Sequence, residues 1–281
     1  MKELKGIDVS TLQGDIDWKE VRAAGIDFAM IKATQGRGEG AATRHLTLFG
    51  DPRFKRNIDG AYNAGISCGV WHYFTARTIS EAHREAEYFI KAIEPYRSKI
   101  ALWAAVDVES EEHLPDVSRT QLTAAVREFM DAVRDAEYKP MLYTNLDFLT
   151  YRYEPGAFAD TEKWLAHWGV RLPNTVPHVR IWQYGSVGNA DDVKKGLATM
   201  AEGRIPGINA ACDVNKGYFE ISAVSAQVPV YVVGNLYRIK TGDRYTSGLA
   251  VPSRLVGEAY RIAQVKPGRI LLDELNSWIK V

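Results

Sequence analysis

Ala101-Leu102-Trp103-Ala104-Ala105-Val106-Asp107-Val108-Glu109 is the stretch whose reading decides the fold. It is an apolar run that stops in two acids. A short run of this kind, rich in Val and Leu, suits a strand buried on both faces, as in a parallel sheet covered by helices. Such a strand has no favourable interior place for a charge. Asp107 and Glu109 therefore emerge at its C-terminal end. Side chains alternate along a strand, so positions i and i+2 point the same way, with Cα atoms roughly 6–7 Å apart. Two carboxylates on one side of a strand end are what glycoside cleavage uses, one as proton donor and one as charge stabiliser. The same tripeptide also suits an ordinary solvated loop start, so the other strand ends have to decide.

Working outward, apolar runs alternate with amphipathic helices. Residues 4–9 read as a first strand, ending in Gly6-Ile7-Asp8-Val9-Ser10. Asp15 and Asp17 can cap a helix that Gly25 closes. Residues 28–33 form a second run, followed by the glycine-rich 36–40, read as a flexible loop near the cleft mouth. A helix starts at Asp51-Pro52, and residues 68–74 form a third run. Thr78 with Glu81 and Ser118 with Gln121 match capping boxes before two further helices, which flank the strand at 100–108. Residues 140–145, 163–168, 179–184 and 208–214 supply strands five to eight. This order predicts an α/β fold: a parallel sheet closed into an irregular TIM-like (β/α) barrel, with few long helices in its second half.

After residue 220 the texture changes. Residues 221–227 are small and weakly polar, a linker composition. Residues 228–281 carry short β-type runs separated by Gly234-Asn235, Thr241-Gly242-Asp243 and Lys266-Pro267-Gly268. That pattern predicts a small all-β domain of the SH3-like kind after a barrel at 1–220. Eight Lys/Arg against four acids make residues 228–281 net +4, which leaves −4 in the rest of a chain whose formal charge is zero.

A closed barrel gathers functional side chains at the C-terminal ends of its strands. Four acids meet that requirement, each following an apolar run: Asp8, Asp107, Glu109 and Asp213. First and last strands are neighbours in a closed barrel, so Asp8 and Asp213 are expected close together. Trp71, Tyr73, Phe74, Tyr143, Trp168, Trp182 and Tyr184 fall at the same ends. Aromatic rings stack on sugar faces, and they also pack barrels against helices. Gln183 can hydrogen-bond a sugar hydroxyl or acetamido group, or merely satisfy a backbone group.

Several other chemistries find no support. The balanced charge gives no overall nucleic-acid signature. His72, His83, His113 and His167 lack metal-ligand spacing, so no metal or other cofactor is expected. There is no Gly-x-Ser-x-Gly elbow, and residues 36–40 fit neither a P-loop nor a dinucleotide fingerprint. Cys68 and Cys212 lie in apolar stretches and read as buried free thiols. No stretch has the length of a membrane span. Residues 1–6 carry no apolar signal region, so synthesis in the cytoplasm is expected, with holin-type release to the wall.

Gly6-Ile7-Asp8-Val9-Ser10, Ile31-Lys32-Ala33-Thr34, His72-Tyr73, Asp107-Val108-Glu109, Tyr143-Thr144-Asn145, Trp182-Gln183-Tyr184 and Asp213-Val214-Asn215 come in an ordered set. That set resembles glycoside hydrolase family 25, the Chalaropsis-type lysozymes, many of them phage endolysins. The resemblance covers roughly residues 1–220. It implies an irregular β/α barrel that cleaves the β-1,4 bond between N-acetylmuramic acid and N-acetylglucosamine in peptidoglycan. By the resemblance, Glu109 is the general acid and Asp107 the assisting carboxylate that orients or stabilises the substrate acetamido group. Asp8 and Asp213 are floor carboxylates that tune the site. Lys32, Tyr73, Tyr143, Trp182 and Tyr184 match cleft positions, and Trp168 and Gln183 join them as substrate-binding candidates. Two residues depart from the family pattern: Gln35 stands where Glu is common, and Trp71 where Tyr is usual. Residues 228–281 are similar in a looser way to SH3-like wall-binding modules, which implies anionic wall polymers such as teichoic acids as partners of a cationic unit. A glucosaminidase or chitinase on a similar barrel, and a wall-binding protein with an inactive barrel, are the rival readings.

Overall fold

Capping residues set the helix starts. Asp17 accepts from the backbone N–H groups of Lys19 and Glu20 and opens α1 (Trp18–Ala23), which ends before Gly25 at φ +85°. Asp15 does not share that role; it pairs with Arg53 and Arg56. Ser118 and Gln121 form a complete capping box on α4 (Arg119–Asp135). Thr78 caps α3 (Ile79–Ile93), but Glu81 does not reach back to it. Its carboxylate accepts from the Arg77 N–H and pairs with Arg37 instead. The computed structural model describes residues 3–37, 46–169, 171–200, 203–221, 233–266 and 269–280.

In chain order the first unit runs β1 (Leu4–Val9), α1, β2 (Phe28–Gln35), the two-residue β3 (Phe49–Gly50), α2 (Phe54–Asn63), β4 (Ser67–Tyr73), α3, β5 (Ile100–Asp107), α4 and β6 (Pro140–Asn145). It continues through α5 (Leu146–Tyr151), β7 (Lys163–Ala166), β8 (Val179–Val187), α6 (Ala190–Lys194) and β9 (Cys212–Gly217). Eight strands close in the order β1, β2, β4, β5, β6, β7, β8, β9 and back to β1, with β3 added antiparallel at the end of β2. Seven of the eight are parallel. The last, β9, runs antiparallel to both neighbours. The expected all-parallel sheet is therefore corrected at one strand. Asp213 does not end a strand at 208–214; it stands at the start of β9, opposite Asp8 in register. Because β9 is reversed, its start lies at the same rim as the C-terminal ends of the other seven. Asp213 thus reaches the expected place by a different route.

Alternation divides the apolar residues into two layers. Ile7, Val9, Ala29, Ile31, Val70, Ala104 and Val106 face outward against α2, α3 and α4. Phe28, Met30, Trp103, Met141, Trp164 and Ile181 fill the lumen. Gly6 is required there, since a Cβ on it would lie 2.1 Å from the Phe28 ring. Helices are short after β6, as expected of the second half. Gly36 and Arg37 are not part of a flexible loop. Arg37 is buried, holding Glu81 and the Thr75 backbone, while residues 38–45 lie outside the described residues. Cys68 and Cys212 are buried free thiols. No helix among the described residues is long and apolar enough to cross a membrane.

The chain divides into two compact units at residues 226/227. Residues 222–232 of the expected linker and first run lie outside the described residues. The second unit contains β10 (Leu236–Arg238), β11 (Arg244–Tyr245), β12 (Ala259–Lys266), β13 (Arg269–Leu272) and β14 (Ser277–Lys280). They form one antiparallel sheet in the order β10-β12-β13-β14-β11. Its own core is Tyr237, Ile239, Val251, Ile262, Ile270, Leu272 and Ile279.

Candidate active site

The lumen is apolar below and polar at the rim, because each inward-facing column of side chains changes type at its C-terminal end. β1 passes from Gly6 to Asp8, β2 from Met30 to Lys32, β5 from Ala105 to Asp107, and β6 from Met141 to Tyr143. β8 passes from Ile181 to Gln183. The reversed β9 brings Asp213 and Asn215 to the same level, so all four predicted acids stand on one rim.

Gln183 joins them. Its amide oxygen accepts from the Tyr143 hydroxyl at 2.9 Å and from the Trp168 indole N–H at 2.9 Å. Its amide nitrogen donates to Asp8 at 3.1 Å and to Asp213 at 3.4 Å. An amide offers two acceptor and two donor positions, and all four are taken. The Gln183 amide is thus hydrogen-bonded within the protein and organises the rim, while its side chain walls the cleft. Tyr143 also donates to Glu109 at 3.2 Å. Asn215, which the sequence reading leaves without a role, donates to Asp8 at 2.7 Å and accepts from the Trp164 indole at 2.7 Å. Its position two residues after Asp213 on one strand is the signal that finds it.

Burial sets the electrostatics. It raises Asp8 to about 6, against hydrogen bonds from Asn215 and Gln183 that pull it down, while the Glu109 charge adds to the rise. Burial raises Asp213 to about 8, with the charges of Asp8 and Glu109 adding. Asp107 is pushed well above the usual carboxylate range by burial and then by Glu109. Glu109 is raised by burial and held back by its Tyr143 hydrogen bond and the Lys32 charge. Four carboxyls this close and this dry cannot all ionise near neutral pH, so the rim stores protons. One Asp107 oxygen is buried without any hydrogen-bond partner.

Lys32 is the rim's cation. Its ammonium donates to Gln35 at 2.7 Å and sits 5.1 Å from the ring centroids of both Trp71 and Tyr73. The charge of Lys32 acts on Asp107 and Glu109, drawing both toward their ionised forms. Tyr73 faces the acids, and burial raises its hydroxyl to about 12 with the Asp107 and Glu109 charges adding.

Of the four acids, only Glu109 lines open space among the described cavities. One cavity of about 380 Å³ is walled by Glu109, Tyr143, Asn145, His167, Trp168 and Gln183. A second, of about 500 Å³, continues past Glu109 and Asn145 to Tyr151 and Arg152. A larger groove of about 640 Å³ between α1 and α2 contains none of the rim acids.

Trp182 and Tyr184 are not brought into this site. They flank the inward Gln183 and so project from the outer face of β8. There the two rings lie 5.6 Å apart, each 5.5 Å from the Lys216 ammonium, and the Trp182 indole donates to the His167 carbonyl. Their assignment to the cleft is corrected by strand alternation. His72 also serves structure: fully buried, it bridges Thr34 at 2.7 Å and Glu85 at 2.9 Å.

The sequence profile of the glycosyl hydrolases family 25 matches residues 7–193. Lysozyme M1 of Streptomyces globisporus is 32% identical over 210 residues, spanning 68% of this chain and 64% of that protein. The autolytic lysozyme of Clostridium acetobutylicum is 29% identical, over 76% of this chain and 61% of its own length. The chain thus matches under two thirds of the length of each of these relatives. The crystal structure of the bacterial lysozyme from Streptomyces coelicolor superimposes with a TM-score of 0.59 at 27% identity, covering 81% of this chain and 97% of that one.

Proposed function

The chain belongs to glycosyl hydrolase family 25, and from that premise we propose that it is an N-acetylmuramidase. Its substrate is peptidoglycan, and the bond it cuts is the β-1,4 linkage from N-acetylmuramic acid to N-acetylglucosamine. The observation that carries this reading is the gathering of four acids on one rim, where Glu109 walls the open cleft.

Glu109, whose hold on its proton burial strengthens, donates that proton to the leaving glycosidic oxygen. The Tyr143 hydroxyl holds the carboxyl in place and favours its charged form once the proton has left. The same carboxylate then takes a proton from the incoming water. Asp107, beside Glu109 on the rim, assists by orienting the acetamido group so that its oxygen aligns on the anomeric carbon. Substrate assistance of this kind replaces a protein nucleophile. Trp168, exposed and held by Gln183, supplies a stacking face, and Lys32 and Tyr73 are further substrate-binding candidates at the rim.

Digestion of purified peptidoglycan, followed by borohydride reduction and mass spectrometry of the new ends, tests the reading. Reduced muramic acid ends are expected. Reduced glucosamine ends would transfer the site to glucosaminidase specificity, and wall binding without new ends would leave the barrel as a binding module.

The biological setting we propose is lysis by an endolysin of the phage type, supported by the pairing of a family 25 barrel with a second unit of net positive charge. Cytoplasmic expression alone is then expected to leave cells intact, with lysis following when the membrane is permeabilised by a holin. Lysis without permeabilisation overturns that setting.

A further inference from the structure

The outer face of the second unit carries a row of cations in strict cross-strand register. Lys266 on β12 stands opposite Arg269 on β13, Arg269 opposite Lys280 on β14, and Lys280 opposite Arg244 on β11. Directly opposed residues project to the same side of a sheet, with Cβ atoms roughly 4.5–5.5 Å apart. The row therefore crosses four strands and spans about 14 Å at the usual interstrand spacing. The opposite face of the same strands, Ile270 and Ile279, is the unit's core, so the row points away from it. All four cations are exposed, and among the described residues none is in an ion pair.

Like charges placed opposite one another destabilise a sheet. Protecting edges against aggregation, the usual use of strand lysines, accounts for Arg244 but not for Arg269 and Lys280, which lie on interior strands. An aromatic ring completes the surface. Trp278 stands two residues before Lys280 on the same face. Its ring centroid lies 5.2 Å from the Lys266 ammonium and 5.0 Å from the Arg269 guanidinium. The ring holds two of the cations in place while leaving their charge unneutralised.

We propose that the row Lys266–Arg269–Lys280–Arg244 with Trp278 is a binding site for a linear polyanion whose charges repeat along the chain, a phosphodiester-linked polyol of the bacterial wall. One cation per strand meets successive phosphates, and Trp278 gives the intervening polyol or its sugar an apolar face. The choice of a wall polymer among polyanions rests on the family 25 barrel in the same chain; the site itself does not.

The test uses the full chain and poly(glycerol phosphate) as the probe. Arg269→Glu/Lys280→Glu is compared with Lys240→Glu/Arg254→Glu, which changes net charge equally but lies outside the row. The row pair is expected to weaken binding ten-fold or more, and the control pair less than two-fold. Arg269→Gln/Lys280→Gln provides a milder variant: it should lose most of the affinity and melt no lower than the parent, since it relieves repulsion. Equal losses in row and control variants overturn the site, as does absence of binding by the parent. Tighter binding to single-stranded DNA, or to phosphatidylglycerol vesicles, than to the polyol phosphate overturns the wall-polymer assignment. Glu109→Gln should bind the polymer like the parent, so failure of the muramidase reading and failure of this site are seen separately.

Discussion

Four carboxyl groups meet at the barrel rim, and four cations line up across the sheet of the second unit. Both are gatherings of like charge, yet they are maintained by opposite means. The acids are buried or half-buried, and a carboxyl in a dry place can give up its charge by keeping its proton. The cations are exposed, and Arg and Lys keep their charge, so water and salt carry the repulsion. The first arrangement stores protons and the second attracts anions. Sign and solvent exposure together decide which of the two a cluster does.

The largest expected effect breaks the barrel side of this comparison. Glu109→Gln keeps the hydrogen-bonding shape but has no proton to give, and turnover on peptidoglycan should fall about 10³-fold, within the range for loss of a general acid. Fold should be retained, as judged by circular dichroism. Near-normal turnover removes Glu109 from the role. Asp107→Asn should cost about 10²-fold in kcat, since orientation rather than proton supply is lost; an effect confined to KM would instead make Asp107 a binding residue.

Salt sharpens the comparison. Raising ionic strength from about 0.05 to 0.5 M shortens the screening length severalfold. Binding to polymer-bearing walls should drop by about ten-fold, while turnover of short, polymer-free glycan fragments by the sheltered rim should change little. Parallel losses in both assays would mean the two clusters share one electrostatic origin. Next in size is the pair Trp168→Ala and Trp182→Ala. The first should raise KM several-fold, about what loss of one stacking ring costs. The second, on the outer face of β8, should leave KM within two-fold. A reversed order would return Trp182 to the cleft.

The smallest effect is on stability. Asp213 is raised from 3.8 to about 8 in the folded protein. The folded state therefore binds more protons than the unfolded chain between those pH values, and stability is lost as pH rises through that window. Asp213→Asn removes the titration. Above pH 8 the variant should melt roughly 2–4 °C higher than the parent, and near pH 3 no higher. Equal shifts at both pH values would mean that packing, not charge, is responsible.

The acids were legible in the sequence because each follows an apolar run and none interrupts one. The direction of β9 was not, since composition does not encode which way a strand runs. Aromatic residues at strand ends suggest a cleft, and so Trp182 and Tyr184 read as cleft residues. Alternation around Gln183 was the signal against them, and it was available once Gln183 was placed inward. The buried Glu85 was concealed by the apolar stripe Ala82, Ala86 and Phe89, because a carboxylate in such a stripe needs an unseen partner, here His72 and Thr75. Arg37 was concealed in the same way, since glycines around it signal mobility and its partners are distant in sequence.

The reversed strand has a consequence for how the molecule is made. Asp8 and its partner Asn215 are 207 residues apart, and β9 is the strand that joins β1 to β8. Until the ribosome has released residue 217, the nascent barrel is an open sheet with two unsatisfied borders. Contacts of such long range are slow to form, and open borders invite pairing with other chains. A chain stopped at residue 210 should therefore precipitate during synthesis, and the residues that complete the rim are also the ones that seal the molecule against its neighbours.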